Sequence, residues 1–339
     1  MRLLTLCALA LLTACSDAGQ EPALLSTGIT ISGHFGEDGY PSEDMSGLAC
    51  DWQGGADMQC LAIEDEGAEG QWAGFDGSIF RAGPRFNLAM LGTPLGTAPR
   101  GICSETDLTN PELDGEAAAF DEGVFYITGS HGCSRSSDEL RPAGFLVAQI
   151  IPDEPGLQVS PGTLAITQSH RLSGLMQREP RLAPYFGASL QNANGLNVEG
   201  LAVRDGQMLF GLRAPVIDGE AFLFETSVTA MFSRDIAGPG RLVGIRLGDH
   251  AGVRDLAFLP DGRLLILSGP AQEQDVPYRI HLRGEDGTVR TLAVVDAPGE
   301  AKAEAMAITG IEGDTVSLLI LFDSAIDGAP QPLEIDLGT

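Results

Sequence analysis

The sequence predicts an all-β fold, a β-propeller of five or six blades, on three observations. A strand–turn–strand unit recurs along the chain. Glycine (44) and proline (20) are frequent in 339 residues, which suits many turns between short strands. Hydrophobic residues make up 43%, enough for a sizeable core, so the chain is not of the disordered class.

The clearest unit spans residues 197–215, with Asp205-Gly206 between two apolar runs. Such a pair is the strongest short hairpin signal, because glycine supplies the positive φ the turn needs. Weaker copies occupy residues 115–131, 253–270 and 303–323, and a degenerate first copy occupies 46–65. The intervals from Glu199 to Arg254 and from Arg254 to Glu304 are about 50 residues, the length of one four-stranded blade. The interval from Glu116 to Glu199 is longer and holds a blade with an insertion, or an extra degenerate blade. Residues 144–150, 221–225, 242–247, 278–282 and 288–294 supply third and fourth strands. Residues 332–337 alternate like one more strand, and pairing with 28–32 would close the ring and hide two edges. A short helical insertion is expected near residues 173–186, limited by Pro180 and Pro184.

The N-terminus combines Arg2, an apolar run over residues 3–12 and Leu12-Thr13-Ala14-Cys15, which resembles the bacterial lipobox. The run is too short to span a bilayer. The expected organisation is a lipoprotein signal peptide over 1–14, a lipidated tether over 15–27 and the propeller over 28–339. Cys15 would carry the lipid and anchor the chain in the bacterial envelope. Ser16 favours the outer membrane, facing the periplasm. Four cysteines remain once Cys7 and Cys15 are set aside, and an even count in an oxidising compartment points to disulfides. Cys50 and Cys60 sit on what read as paired strands, and Cys103–Cys133 follows by elimination.

Net charge is −27, which repels nucleic-acid backbones and fits cationic partners or divalent metals. P-loop, dinucleotide, G-x-S-x-G and H-E-x-x-H patterns are missing from the sequence. Chemistry is instead expected where each first strand starts and each second strand ends, because an antiparallel hairpin brings these to one end. That mouth gathers Glu116 with His131, Glu199 with Arg213, Asp255 with Ser268, Glu304 with Asp323, and Ser46 with residues 64–66. Glu116, Glu199 and Glu304 are candidate ligands for Ca²⁺, since clustered carboxylates suit hard cations. Arg213 is the candidate clamp for an anionic group, and His131 is the one histidine at the mouth. His34, His170, His250 and His281 show no metal-ligand spacing, and Trp52 and Trp72 read as core.

Residues 197–202 (N-x-E-G-L-A), 211–215, 254–257 and 304–307 together resemble a bacterial family of unknown function across about residues 29–337. More distantly the chain is similar to esterase-like, phytase-type propellers, and that resemblance implies calcium binding. Ala214 stands where the family carries glycine, residues 191–194 replace a stretch that often carries Lys-Glu-Asn, and Arg254 takes the glutamate place in its copy. Two functions are carried forward. One is a protein that binds a small-molecule or protein ligand at the acidic mouth. The other is a Ca²⁺-dependent hydrolase of phosphate or carboxylic esters, with Arg213 holding the anion.

Overall fold

Each copy of the repeat becomes the inner hairpin of one sheet, and the five sheets form a five-bladed propeller. The computed structural model describes residues 28–54, 57–88, 92–107, 111–152, 164–234 and 238–338. The expected signal peptide and lipidated tether, residues 1–27 with Cys15, lie outside the described residues. Among the described residues no helix is long and apolar enough to cross a membrane.

Blade 1 is built from Met45–Cys50, Met58–Glu64, Glu69–Phe75 and Ile79–Asn87. Blade 2 is Gly115–Asp121, Val124–Gly129, Val147–Pro152 and Leu164–Ser169. Blade 3 is Asn197–Arg204, Gln207–Ile217, Glu220–Ser227 and Arg241–Ile245. Blade 4 is Ala251–Phe258, Leu264–Pro270, Tyr278–Arg283 and Val289–Val295. Blade 5 has three strands, Lys302–Glu312, Thr315–Asp323 and Gln331–Asp336. The turn at Asp205-Gly206 has positive φ at both residues (51° and 74°), the hairpin geometry that the pair foretold.

Side chains of a strand alternate between two faces, and here both faces of a blade meet a neighbour. Five apolar clusters result, one for each pair of adjacent blades. Trp72 and Phe125 join blades 1 and 2; Val147 and Phe210 join blades 2 and 3; Leu223 and Ile266 join blades 3 and 4. Leu267 and Phe322 join blades 4 and 5, and Leu48 and Leu319 close the ring between blades 5 and 1. The glycine of the E-G-L-A pattern and the one opening residues 211–215 belong to this packing. A Cβ on Gly200 would lie 2.9 Å from Leu256 Cγ, and one on Gly211 would lie 2.3 Å from Val253 Cγ1.

The closure differs from the expected strand exchange. Gln331–Asp336 pairs with its own blade's Thr315–Asp323, and Thr30–Ser32 adds in parallel to the outer edge of blade 1 at Ile79–Arg81. A carboxylate clasp joins the ends instead. Asp327 Oδ1 accepts from the Phe35 N–H (2.9 Å) and the Ser42 N–H (3.2 Å), and its Oδ2 lies 2.8 Å from His34 Nδ1. One buried anion thus satisfies two backbone donors across the seam without adding a strand.

The long interval between Glu116 and Glu199 is one blade plus an insertion. The insertion begins at the helix Arg171–Met176, passes through the 3₁₀ turn Ala183–Tyr185 and ends with Leu190–Ala193. It is more broken than a single helix over 173–186. So short a helix has no stability of its own, and Leu172, Leu175, Met176 and Leu182 hold it by entering the core between blades 2 and 3. Both disulfides form as read from the sequence. Cys50 and Cys60 face each other in the ladder with Cα atoms 4.0 Å apart, and Cys103–Cys133 spans 5.8 Å.

Candidate functional site

The inner strand of every blade carries one β-bulge at its start, at the same place in the repeat. The ladder skips Ser46, Glu116, Glu199, Arg254 and Glu304 in turn. A bulge re-aims the extra residue and is common at the rims of closed sheets. Five equivalent positions therefore gather at one mouth of the ring, two of them, in blades 1 and 4, carrying no acid.

Arg254 decides what this mouth is. It is 1% exposed and makes ion pairs with both Glu199 (Nε to Oε2, 2.9 Å) and Glu304 (through Nη2). Arg213 reaches Glu199 from its own blade, Nη1 to Oε1 at 2.7 Å, and gives Nε to the Ala271 carbonyl (3.1 Å) and Nη2 to that of Gln272 (3.4 Å). Burial works against the Arg254 charge, yet Glu199 and Glu304 raise its pKa above the ordinary arginine value. Glu304 has less compensation: burial, with Glu199 and Asp323 nearby, pushes it up to about 7 against the pull of Arg254. Asp323 is paired with Lys302 at the edge of the same mouth.

Asp255 lies within the ring wall. Its Oδ1 accepts from the Leu256 N–H (2.8 Å) and its Oδ2 from the Met306 N–H of blade 5 (2.7 Å). It is a staple between blades, although burial pushes its carboxyl well up. His131 also turns away from the mouth. Its φ is +55°, its Nδ1 lies 3.1 Å from Ser173 Oγ under the insertion, and burial, with His170 beside it, pulls its pKa down to about 3.

The expected Ca²⁺ set does not fit. Among the described residues no three His, Cys, Asp or Glu side chains group to hold a metal. The reason is visible: a guanidinium stands between Glu199 and Glu304, where a shared cation would stand. Arg213 is likewise committed on all three nitrogens.

Glu116 is the bulge acid outside this network. Burial raises its pKa far above the usual range, with Glu199, Asp114, Glu304 and Asp65 adding to the shift. It lines a cavity of about 340 Å³ beside the mouth, with Asp65, Asp114, Ser130, Arg135 and Asn197 among the other walls. Ser130 Oγ–H donates to Asp114, and Arg135 Nη2 lies 3.6 Å from Asp65. Burial first, then Glu304, Asp323 and Asp114, push Asp65 up to about 8 against Arg135. Asp65 Oδ1 and Asn197 Oδ1 are buried with no hydrogen-bond partner. Sequence reasoning placed Asp65 at the mouth but missed Asp114, Arg135 and Asn197 as site residues. Asp114 was findable, because it immediately precedes the strand that opens with Gly115 and Glu116. Behind the ion network the axis narrows to an apolar waist of about 60 Å³, lined by Leu48, Ala118, Ala202, Leu256 and Met306 from the five blades.

The model of the family described as "Protein of unknown function (DUF3616)" matches residues 151–331. No curated protein matches the sequence. Among solved structures, a luciferin-regenerating enzyme is similar at 8% identity and a TM-score of 0.37, covering 87% of this chain and 91% of that one. A protein from Lactobacillus plantarum is similar at 11% identity and a TM-score of 0.35, covering 89% and 88%. The extracellular domain described for a hybrid two-component system of B. thetaiotaomicron matches at 11% identity and a TM-score of 0.33. The match covers 89% of this chain, which spans only 28% of that one. The propeller assignment rests on the five sheets of this chain that form its blades.

Proposed function

The chain belongs to the DUF3616 family, whose name carries no reaction, and on that premise we propose that it is a ligand-binding propeller. Its site is the acidic cavity bounded by Asp65, Glu116 and Asn197. The observation that carries this reading is the division of the mouth into two parts. The arginines that could clamp an anionic substrate are spent inside the protein, Arg213 and Arg254 both on Glu199. The neighbouring cavity keeps buried acceptors without donors. A concave site with a few convergent polar groups is what small-ligand binding needs. The alternative, a Ca²⁺-dependent ester hydrolase, needs Glu199 and Glu304 free to share a metal and Arg213 free to take an anion.

The two formed disulfides support an oxidising compartment and thus an envelope location. In this reading Cys15 is lipidated and tethers the cavity to a membrane surface.

Thermal unfolding of the full chain with a panel of small amines, polyols and dicarboxylates tests the reading. A ligand at ~100 times its dissociation constant stabilises by about 2.7 kcal/mol. The expected result is a rise in Tm with one ligand class, and no turnover of phosphate or carboxylic esters with or without Ca²⁺. Ca²⁺-dependent turnover that disappears in Arg213→Ala would overturn it in favour of the hydrolase.

A further inference from the structure

We propose that the cavity beside the mouth binds an organic cation through an ammonium or guanidinium group that donates hydrogen bonds. This rests on the binding reading above and names its ligand class. The first observation is Asn197. The residue is 7% exposed and lines the cavity, and its Oδ1 is buried with no hydrogen-bond partner. Asp65 Oδ1, on the blade 1 side of the same cavity, is also buried and unpartnered. An amide oxygen only accepts, so the missing partner of Asn197 Oδ1 is a donor, and Asp65 Oδ1 accepts from the same donor once its carboxyl is ionised.

Charge chooses among donors. The walls include the carboxylates of Asp65, Asp114 and Glu116, and the two guanidiniums present, Arg135 and Arg141, are already paired with Asp65 and Glu112. An anion would face this carboxylate wall. A neutral polyol would satisfy the acceptors but would not draw these buried carboxyls into their ionised form. An ammonium or guanidinium does both, and its hydrogen bonds to carboxylates are charge-assisted and strong. The cavity volume, about 340 Å³, lies at the small end of ligand sites, which fits a single small molecule. Part of its lip is the loop fastened by Cys103–Cys133, since Cys133 lines it. The covalent link holds that wall in place before any ligand arrives.

The test is isothermal titration of the full chain with agmatine, cadaverine and spermidine, with erythritol and sorbitol as neutral probes and citrate as an anionic one. At least one cation should bind. Its affinity should fall about tenfold or more in Asp65→Asn and in Glu116→Gln, isosteric changes that keep the shape and remove the carboxyl that ionises against the cation. Urea unfolding midpoints, measured in parallel, show that each variant is folded. Affinity should also fall as salt is raised, because a charged contact is screened. Binding of a polyol or citrate alone, with Asp65→Asn as good as the parent, overturns the cationic class and leaves the binding reading standing. No binding by any of the six probes overturns both.

Discussion

Replacing Arg254 by methionine should cost more stability than any other single change at the mouth. Methionine keeps much of the volume and removes the guanidinium from between two carboxylates. Arg254 is 1% exposed, and the charges it leaves behind are nearly as buried: Glu199 is 2% and Glu304 6% exposed. Removing one partner of a buried pair costs about 3–5 kcal/mol, because the other charge is stranded in a poorly solvating interior. Here two carboxylates are affected, although Arg213 still reaches Glu199 at 2.7 Å, so Glu304 bears most of the loss. At about 2–4 °C per kcal/mol for a large domain, Tm should fall by about 6–20 °C. The assay is urea unfolding with the midpoint and slope both followed, since an unchanged slope shows that stability itself moved. The penalty should shrink as pH falls, because a protonated Glu304 no longer needs a cation. The triple variant Arg254→Met, Glu199→Gln, Glu304→Gln should recover part of the loss. A single variant within 1 kcal/mol of the parent, or a triple variant no better than the single, would refute the resident-cation account.

Asp65 has a raised folded-state pKa of about 8, so the native state holds its proton where the unfolded chain has lost it. Its contribution therefore opposes folding increasingly as pH rises between about 4 and 8. Asp65→Asn should accordingly gain stability over the parent at pH 8 and gain little at pH 4, read as the difference between two urea-midpoint curves; a flat difference would contradict the shift. His131 and His281 are depressed to about 3 and 4 chiefly by burial, so both favour the unfolded state as pH falls below about 6.5. His131→Asn should weaken the pH dependence of stability between pH 6 and 4, and should leave cation binding unchanged; a loss of binding would return His131 to the mouth. Changing Cys103 and Cys133 to serine opens a loop of 30 residues and should cost about 3–4 kcal/mol by chain entropy. It should also weaken ligand binding, measured by titration, because Cys133 is part of the cavity wall.

The fold was legible because its signals are local. Asp205-Gly206 between apolar runs gives a hairpin whatever lies elsewhere, and the same short pattern returns at about the period of a blade. The equivalence of Ser46, Glu116, Glu199, Arg254 and Glu304 was legible for the same reason, since the repeat aligns them without any coordinates. Cys50 and Cys60 flank one turn, so their pairing followed from the hairpin register. The helical insertion was harder to bound, because its six-residue helix is held by Leu172 and Met176 in a core between two blades and carries little signal of its own.

The roles at the mouth were less legible, and the reason is distance along the chain. Arg254 looked like a departure from the pattern in its own copy. Only the closed ring sets it between Glu199 of the preceding blade and Glu304 of the following one, and so turns an expected metal site into an internal ion network. Asp255 read as a ligand because carboxylates at strand ends often are. The backbone N–H of Met306 that claims it belongs to another blade. Ring closure followed the same rule: the expected pairing of terminal strands gave way to Asp327, which the Phe35 and Ser42 N–H groups reach only once blades 1 and 5 meet. Composition and local pattern thus determined the hairpins, their repeat, the disulfides and the acidity of one mouth. Tertiary structure alone decided which of those acids are neutralised from within and which are left facing a cavity, because burial and charge pairing depend on neighbours that the chain brings from some 50 to 300 residues away.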